Sequence, residues 1–327
     1  MAPTGPLIVN IHRRRFSFGR DFKLGKLTRL HVDAIEVTLT RKGLTGRGEC
    51  VPNPRYGESL DSVTNQIEQL PMEFDRERLP ALLRPGPARN AVDCALWDLE
   101  AKQQGMRVWQ LAGLPQPKPL ETIITLSIDN RARLVEDIRR FSNHRVMKFR
   151  ISSSDDLALV PLVREIAPNS RIILDVGECW TVDEYIRYTP KLRQQGVVMI
   201  EQPVPVIQDA ALAEIEHPIP ICADESCHDM AVLPRLKGRY DAINIKLDKA
   251  GGLTHALALR DAAQGAGMKV MVGSMISSSL AMAPAMLVAQ GVNYVDLDGP
   301  LLLAEDRPGG LHYDGSWVHP SRNEFWG

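Results

Sequence analysis

From about Leu120 to Pro300, short apolar segments recur on a regular beat, and several of them end in a charged residue. The segments are Thr122 to Ile128, Val146 to Ile151, Arg171 to Asp175, Val197 to Gln202, Ile219 to Asp224, Ala242 to Leu247, Lys269 to Gly273 and Tyr294 to Asp298. Asp175, Glu201 and Asp224 close three of them, 26 and 23 residues apart, about the length of one strand plus a crossover helix. Eight such segments predict a closed barrel of parallel strands whose C-terminal strand ends meet at one mouth.

Three carboxylates converging there would repel one another without a cation between them. Ligation by oxygen alone suits a hard divalent ion, Mg2+ above all, one per subunit. Each acid taken singly could instead cap the helix that follows it; three in step favour the metal. Lys148 and Lys246 end the flanking strands, 27 residues before Asp175 and 22 after Asp224. An ammonium desolvated beside a dication has its pKa lowered and can act as a general base. The competing reading, a solvated surface lysine, fits poorly with the buried-strand character of Val-Met-Lys-Phe and Ala-Ile-Asn-Ile-Lys.

The 327 residues allow a barrel plus a smaller domain, and 44% hydrophobic with 24% charged residues is ordinary for a globular chain. A formal net charge of −1, with Arg13, Arg14 and Arg15 as the one dense basic run, argues against a nucleic-acid partner. No basic-then-apolar leader opens the sequence and no apolar run reaches membrane-spanning length, so a cytoplasmic protein with no membrane partner is expected. Five cysteines, an odd number widely spread, predict reduced thiols rather than a disulfide framework. The gap between Cys222 and Cys227 is not a zinc signature. Cys179, four residues after Asp175, is either close to the site or a structural thiol.

The first part of the chain reads differently. Alternating apolar and polar residues from Leu27 to Thr40, a turn at Lys42-Gly43 and a return through Thr45 to Cys50 predict an antiparallel sheet. Helices follow over about Leu60 to Leu70, and after Pro85-Gly86-Pro87 through Leu99 and Ala101. Residues 1–118 are therefore expected to form an α+β capping domain and 119–305 the barrel. Residues 306–327 are expected as a segment that packs back on the capping domain.

At this point the sequence resembles the enolase superfamily, within it the muconate-lactonizing subgroup that includes the dipeptide epimerases. The resemblance spans nearly the whole chain. It rests on Gly48-Glu49-Cys50, Pro54-Arg55-Tyr56-Gly57-Glu58-Ser59, the run Arg89 to Leu99, Glu201-Gln202-Pro203, Ala223-Asp224-Glu225-Ser226, Asn244 to Lys249 and Asp296-Leu297-Asp298-Gly299-Pro300. The resemblance implies a modified (β/α)7β TIM-like barrel, of the α/β class, with an N-terminal capping domain. It also implies that Asp175, Glu201 and Asp224 hold Mg2+, which binds a substrate carboxylate and stabilises the charge left by removal of the neighbouring proton. Lys246 matches the base on the sixth strand. Asp296 and Asp298 match a pair that accepts the ammonium of a dipeptide, although a plain turn before Gly299-Pro300 would also use them. Arg20 and Lys23, in a loop from Phe18 to Leu24, match the substrate-selecting lid, with Arg55 as a further lid-side cation. A small-molecule substrate, a dipeptide or an N-substituted amino acid, is implied, and a homo-oligomer is expected by analogy with other barrel enzymes.

The family pattern on the second strand is Lys-x-Lys, the second lysine being a base, whereas this chain has Lys148-Phe149-Arg150. A guanidinium stays protonated and is a poor base. Gly177 likewise stands where the pattern has asparagine. The leading expectation is dipeptide epimerisation of the L-Ala-D/L-Glu type, with Lys246 on one face and Lys148 or Arg150 managing the proton on the other. One-base chemistry through Lys246 alone, such as syn-elimination or cycloisomerisation, and a catalytically degenerate ligand-binding protein are the alternatives.

Overall fold

The computed structural model describes residues 5–24, 27–128, 130–322 and 324–327, without the side chains of 20–24 and 27–29. Three antiparallel strands, β1 (Ile8–Leu24), β2 (Leu27–Arg41) and β3 (Leu44–Cys50), form the first sheet, in that spatial order. The helix Pro87–Gln104 lies across it, and glycine lets it approach: a Cβ on Gly48 would overlap the carbonyl oxygen of Ala91. Ile35, Val37, Leu39, Val63, Ile67, Leu96 and Leu99 fill the space between sheet and helices. The segment Phe18 to Leu24, read from sequence as a loop, is the distal part of β1. Its pairing with β2 resumes at Phe22↔Arg29 after a register shift beyond Ser17. Gly19 hides the alternation there, and the bulge breaks it.

After the short strand β4 (Leu120–Glu121) come the parallel strands β5 (Ile124–Leu126), β6 (Val146–Arg150), β7 (Arg171–Asp175), β8 (Val197–Glu201), β9 (Ile221–Ala223), β10 (Ala242–Lys246), β11 (Lys269–Gly273) and β12 (Tyr294–Asp296). They pair in sequence order, and the amide of Ile123 donates to the carbonyl of Val295 at 2.8 Å, which closes the sheet into a barrel. Alternation along each strand sorts the side chains. Met147, Phe149, Ile172, Leu174, Ile200, Ile243 and Ile245 pack outward under the helices. Ile123, Val146, Ile173, Met199, Cys222, Ala242 and Met271 form a separate apolar plug inside. Each plug residue lies two positions before Thr125, Lys148, Asp175, Glu201, Asp224, Asn244 and Gly273, so the next inward layer is the polar one.

β12 ends at Asp296, two residues short of the strand expected from sequence: the Leu297 amide donates to the Thr122 hydroxyl at 3.0 Å instead of to a neighbouring strand, and the turn Gly299–Leu302 follows. Two short strands, β13 (Tyr313–Asp314) and β14 (Trp317–Val318), pair with β4. The terminal segment also reaches the first sheet and its helix. Arg307 Nη1 donates to Glu36 at 3.0 Å, Trp326 Nε1 to the carbonyl of Arg47 at 2.9 Å, and the Gly327 amide to Asp98 at 2.9 Å. All five cysteines are free thiols, four of them buried and Cys179 exposed. Among the described residues no helix is long and apolar enough to cross a membrane.

Candidate active site at the barrel mouth

The C-terminal strand ends floor a cavity of about 310 Å3, roofed by Phe18 and Val32 from the first sheet and by Val51, which directly follows β3. Lys148, Arg150, Asp175, Asp224, Lys246, Asp296 and Asp298 all line it, and Glu201 lies fully buried beside them. In an eight-strand cylinder β6 and β10 are four strands apart, so Lys148 and Lys246 face the cavity from opposite walls. The acids of β7, β8 and β9 fall between them.

Charges in this layer are balanced pair by pair. Lys246 Nζ donates to Asp224 Oδ2 at 2.7 Å, and Lys249 Nζ to Asp224 Oδ1 at 2.6 Å. Arg150 Nη1 donates to both carboxylate oxygens of Asp175 at 2.7 Å. Lys148 is hydrogen-bonded to Asp296 and lies 3.5 Å from Glu201 Oε2. Asn244 Nδ2 donates to Glu201 Oε1 at 2.7 Å, with its own amide fitted into the space left by the absent side chain of Gly273.

These contacts set the protonation of the groups. Burial works against the Lys246 ammonium, but Asp224 and Glu201 outweigh it and hold its pKa above the ordinary lysine value. The lowering expected from sequence was for an amine beside a dication; with carboxylates as its charged partners the direction is upward. The Asp224 carboxyl is held far below its usual range: burial is the largest influence and raises it, but Lys246 and Lys249 together prevail. Glu201 is pushed up to about 7, chiefly by burial. Asp298, which accepts from the Thr125 amide at 2.6 Å, is also raised to about 7 by burial and by Asp296.

Metal binding fits the donor chemistry of this mouth. Glu201 Oε2 is buried without a hydrogen-bond partner, which suits an oxygen that completes its shell with a cation. As the side chains stand, Asp175 and Asp224 are turned to arginine and lysine, and among the described residues no three acidic, histidine or cysteine side chains enclose a single point. The expected ligands Asp175, Glu201 and Asp224 thus share one mouth but are not gathered around one point in this structure.

The other expected residues divide. Asp296 and Asp298 both face the cavity. Arg55 stands in its wall but is ion-paired to Glu178. Arg20 and Lys23 lie on β1, and their side chains fall outside the described residues. Sequence reasoning assigned no role to Lys249, which the short helix Leu247–Ala250 turns back onto Asp224, nor to Glu225, whose Oε1 is 3.8 Å from Arg150 Nη2. Lys249 follows Lys246 by three residues, the spacing that brings two side chains to one side of a helical turn, and that was the available signal.

Residues 20–113 match the mandelate racemase/muconate lactonizing enzyme N-terminal domain and residues 130–309 the enolase C-terminal domain-like model. The chain is 40% identical to an N-acetyl-D-glutamate racemase of a Pseudoalteromonas species, over 90% of this chain and 95% of that one. It is 37% identical to the L-Ala-D/L-Glu epimerase of Escherichia coli K12, over 95% and 99%. Among solved structures, an enolase family member from Agrobacterium tumefaciens with homology to dipeptide epimerases, with bound sodium and L-Ala-L-Glu, superposes with a TM-score of 0.95 at 46% identity, covering 98% of this chain and all of that one. The dipeptide epimerase of Methylococcus capsulatus, complexed with Mg and L-Arg-D-Lys, superposes at 0.89 with 25% identity, over 97% and 98%. The chain belongs to the mandelate racemase/muconate lactonizing enzyme family of the enolase superfamily.

Proposed function

We propose that the protein is an epimerase acting on the carbon next to a carboxylate of a glutamate-containing dipeptide, the L-Ala-D/L-Glu type. The observation that carries this is the placement of two amines, the buried Lys148 and the largely buried Lys246, on opposite walls of one cavity with three carboxylates between them. Inversion requires a proton to leave one face of a carbon and arrive on the other, which two opposed amines can provide. Asp175, Glu201 and Asp224 would hold Mg2+, which supplies charge neutralisation at the substrate carboxylate when bound. Lys246 Nζ serves the β10 face. Lys148 Nζ, paired with Asp296, serves as donor on the β6 face, and the opposite enantiomer would require the reverse protonation of the two amines. Asp298 and Asp296 would receive an ammonium, and the roof of the first sheet excludes water. The free thiols suit a reducing compartment, the cytoplasm, and a homo-oligomer is proposed by analogy with other barrel enzymes.

One contact favours a second substrate. Asp296 is already paired with Lys148, which reduces what it can offer to an ammonium. An N-acylated glutamate, which carries none, would fit that wall. Incubation of the holoenzyme with Mg2+ in D2O, with L-Ala-L-Glu and N-acetyl-L-glutamate in parallel, decides both points. Deuterium at the α-carbon with inversion supports epimerisation and identifies the substrate. Exchange without inversion transfers the assignment to one-base chemistry, and no exchange with any substrate of either class rejects the reading.

A further inference from the structure

Arg150 and Gly177 are the two positions at which the chain leaves the pattern it otherwise resembles, and in the structure they touch. A Cβ on Gly177 would overlap Nη2 and Cζ of Arg150 and lie 2.8 Å from Nη1. The backbone does not demand glycine there. Its φ is +50°, in the left-handed region that asparagine enters readily. On the same rim Glu178 and Gln202 adopt φ of +70° and +38° with full side chains. The positive φ favours glycine, and the space taken by Arg150 favours it further.

The guanidinium in that space is well anchored. Nη1 reaches both oxygens of Asp175 at 2.7 Å, Nη2 lies 3.8 Å from Glu225 Oε1, and the side chain is only 24% exposed. A lysine ammonium at the same position is a compact charge on a shorter reach and does not need the room above Gly177.

We propose that Arg150 and Gly177 work as one unit, in which the glycine is the seat of the guanidinium. The seated guanidinium is a positioning residue that orients Asp175, and it places a fixed cation instead of a proton acceptor at the β6 rim. That leaves Lys148 as the one β6 amine able to exchange protons with a substrate. The kinetic consequence depends on the α-proton chemistry proposed above; the effect on ion binding does not.

A double-mutant cycle tests the unit. Wild type, Gly177→Asn, Arg150→Lys and the double variant are compared for Mn2+ affinity by electron paramagnetic resonance without substrate, and for kcat and KM of α-proton exchange. Asparagine fits the backbone but evicts the guanidinium, so Gly177→Asn alone should shift Mn2+ affinity and kcat by about tenfold or more. In the Arg150→Lys background the same change should shift both by less than about twofold, and the double variant should recover relative to Gly177→Asn. An equal effect of Gly177→Asn in both backgrounds, or none in the wild type, overturns the proposal. Gly177→Ala repeats the comparison if the asparagine variant does not fold, because Cβ alone already overlaps Arg150. If no tested substrate exchanges, the Mn2+ cycle decides the coupling by itself, and only the epimerase reading is lost.

Discussion

Two layers of side chains fill the same barrel, one strand period apart, and they are held by opposite physics. In the lower layer Ile123, Val146, Ile173, Met199, Cys222, Ala242 and Met271 exclude water and stabilise the fold by burial alone. In the upper layer Lys148, Asp175, Glu201 and Asp224, with Lys246 one period further along β10, are nearly as buried but charged. Desolvating such groups costs several kcal/mol each and is tolerated only when each has a partner. The lower layer is thus indifferent to what enters the cavity. The upper layer is a set of contacts that an arriving ion or substrate can exchange for its own, and this is what makes the mouth a site and the plug a foundation.

If the division is real, substitutions in the two layers should separate chemistry from stability. The largest effect is expected for Lys246→Ala: α-proton exchange should fall by roughly 10²- to 10⁴-fold, while the melting temperature changes little because Lys249 still neutralises Asp224. Retention of exchange would remove Lys246 from the chemistry. Asp224→Asn should blur the division, since it strips two buried ammonium groups of their shared carboxylate. A loss of about 3–5 kcal/mol in denaturant unfolding, together with loss of Mg2+ binding by calorimetry, is expected. Met199→Ala, in the plug, should cost about 2–5 kcal/mol while the exchange rate per folded molecule stays the same. A large change in KM there would show that the layers are not independent.

The smallest effect lies beneath the plug, where His217 Nδ1 pairs with Asp241 at 2.8 Å next to the start of β9. That hydrogen bond is the main cause that raises the His217 pKa, against an opposing contribution from burial. The sign follows: the histidine's contribution is fully present below its unfolded pKa and is lost as pH rises through the higher folded one. Thermal melts of wild type and His217→Gln should therefore differ at pH 5.5 and converge by pH 8.5. A difference that grows with pH would refute the assignment.

Much of the upper layer was legible because period two along a strand and a 22- to 27-residue beat are local properties. Lys148, Asp175, Glu201, Asp224 and Lys246 could be placed at one mouth from spacing alone. Contacts between strands were not legible in the same way. Nothing near Gly177 in sequence says that its missing side chain is filled by residue 150, and nothing near Lys148 says that its partner is Asp296, across the closing seam of the barrel. The distal part of the first strand, Phe18 to Leu24, was misread as a loop because Gly19 and a register shift interrupt its alternation. The carboxylates that raise the Lys246 pKa, Asp224 and Glu201, lie on other strands as well, so that balance was no more legible.

The seam between the two domains runs directly behind Lys246. From the helix Pro87–Gln104, Arg89 donates to the carbonyls of Ala250 and Gly251, Asn90 to Asp248, and Asp93 accepts from Thr254. All four partner residues, Asp248, Ala250, Gly251 and Thr254, lie in the stretch that follows β10. A chimera that imports a relative's capping domain to alter substrate choice would therefore bring mismatched fingers to the segment that carries Lys249 and aims Lys246. The natural crossover for such a graft is not the linker near residue 118, since residues 247–254 have to travel with the cap as its inherited socket.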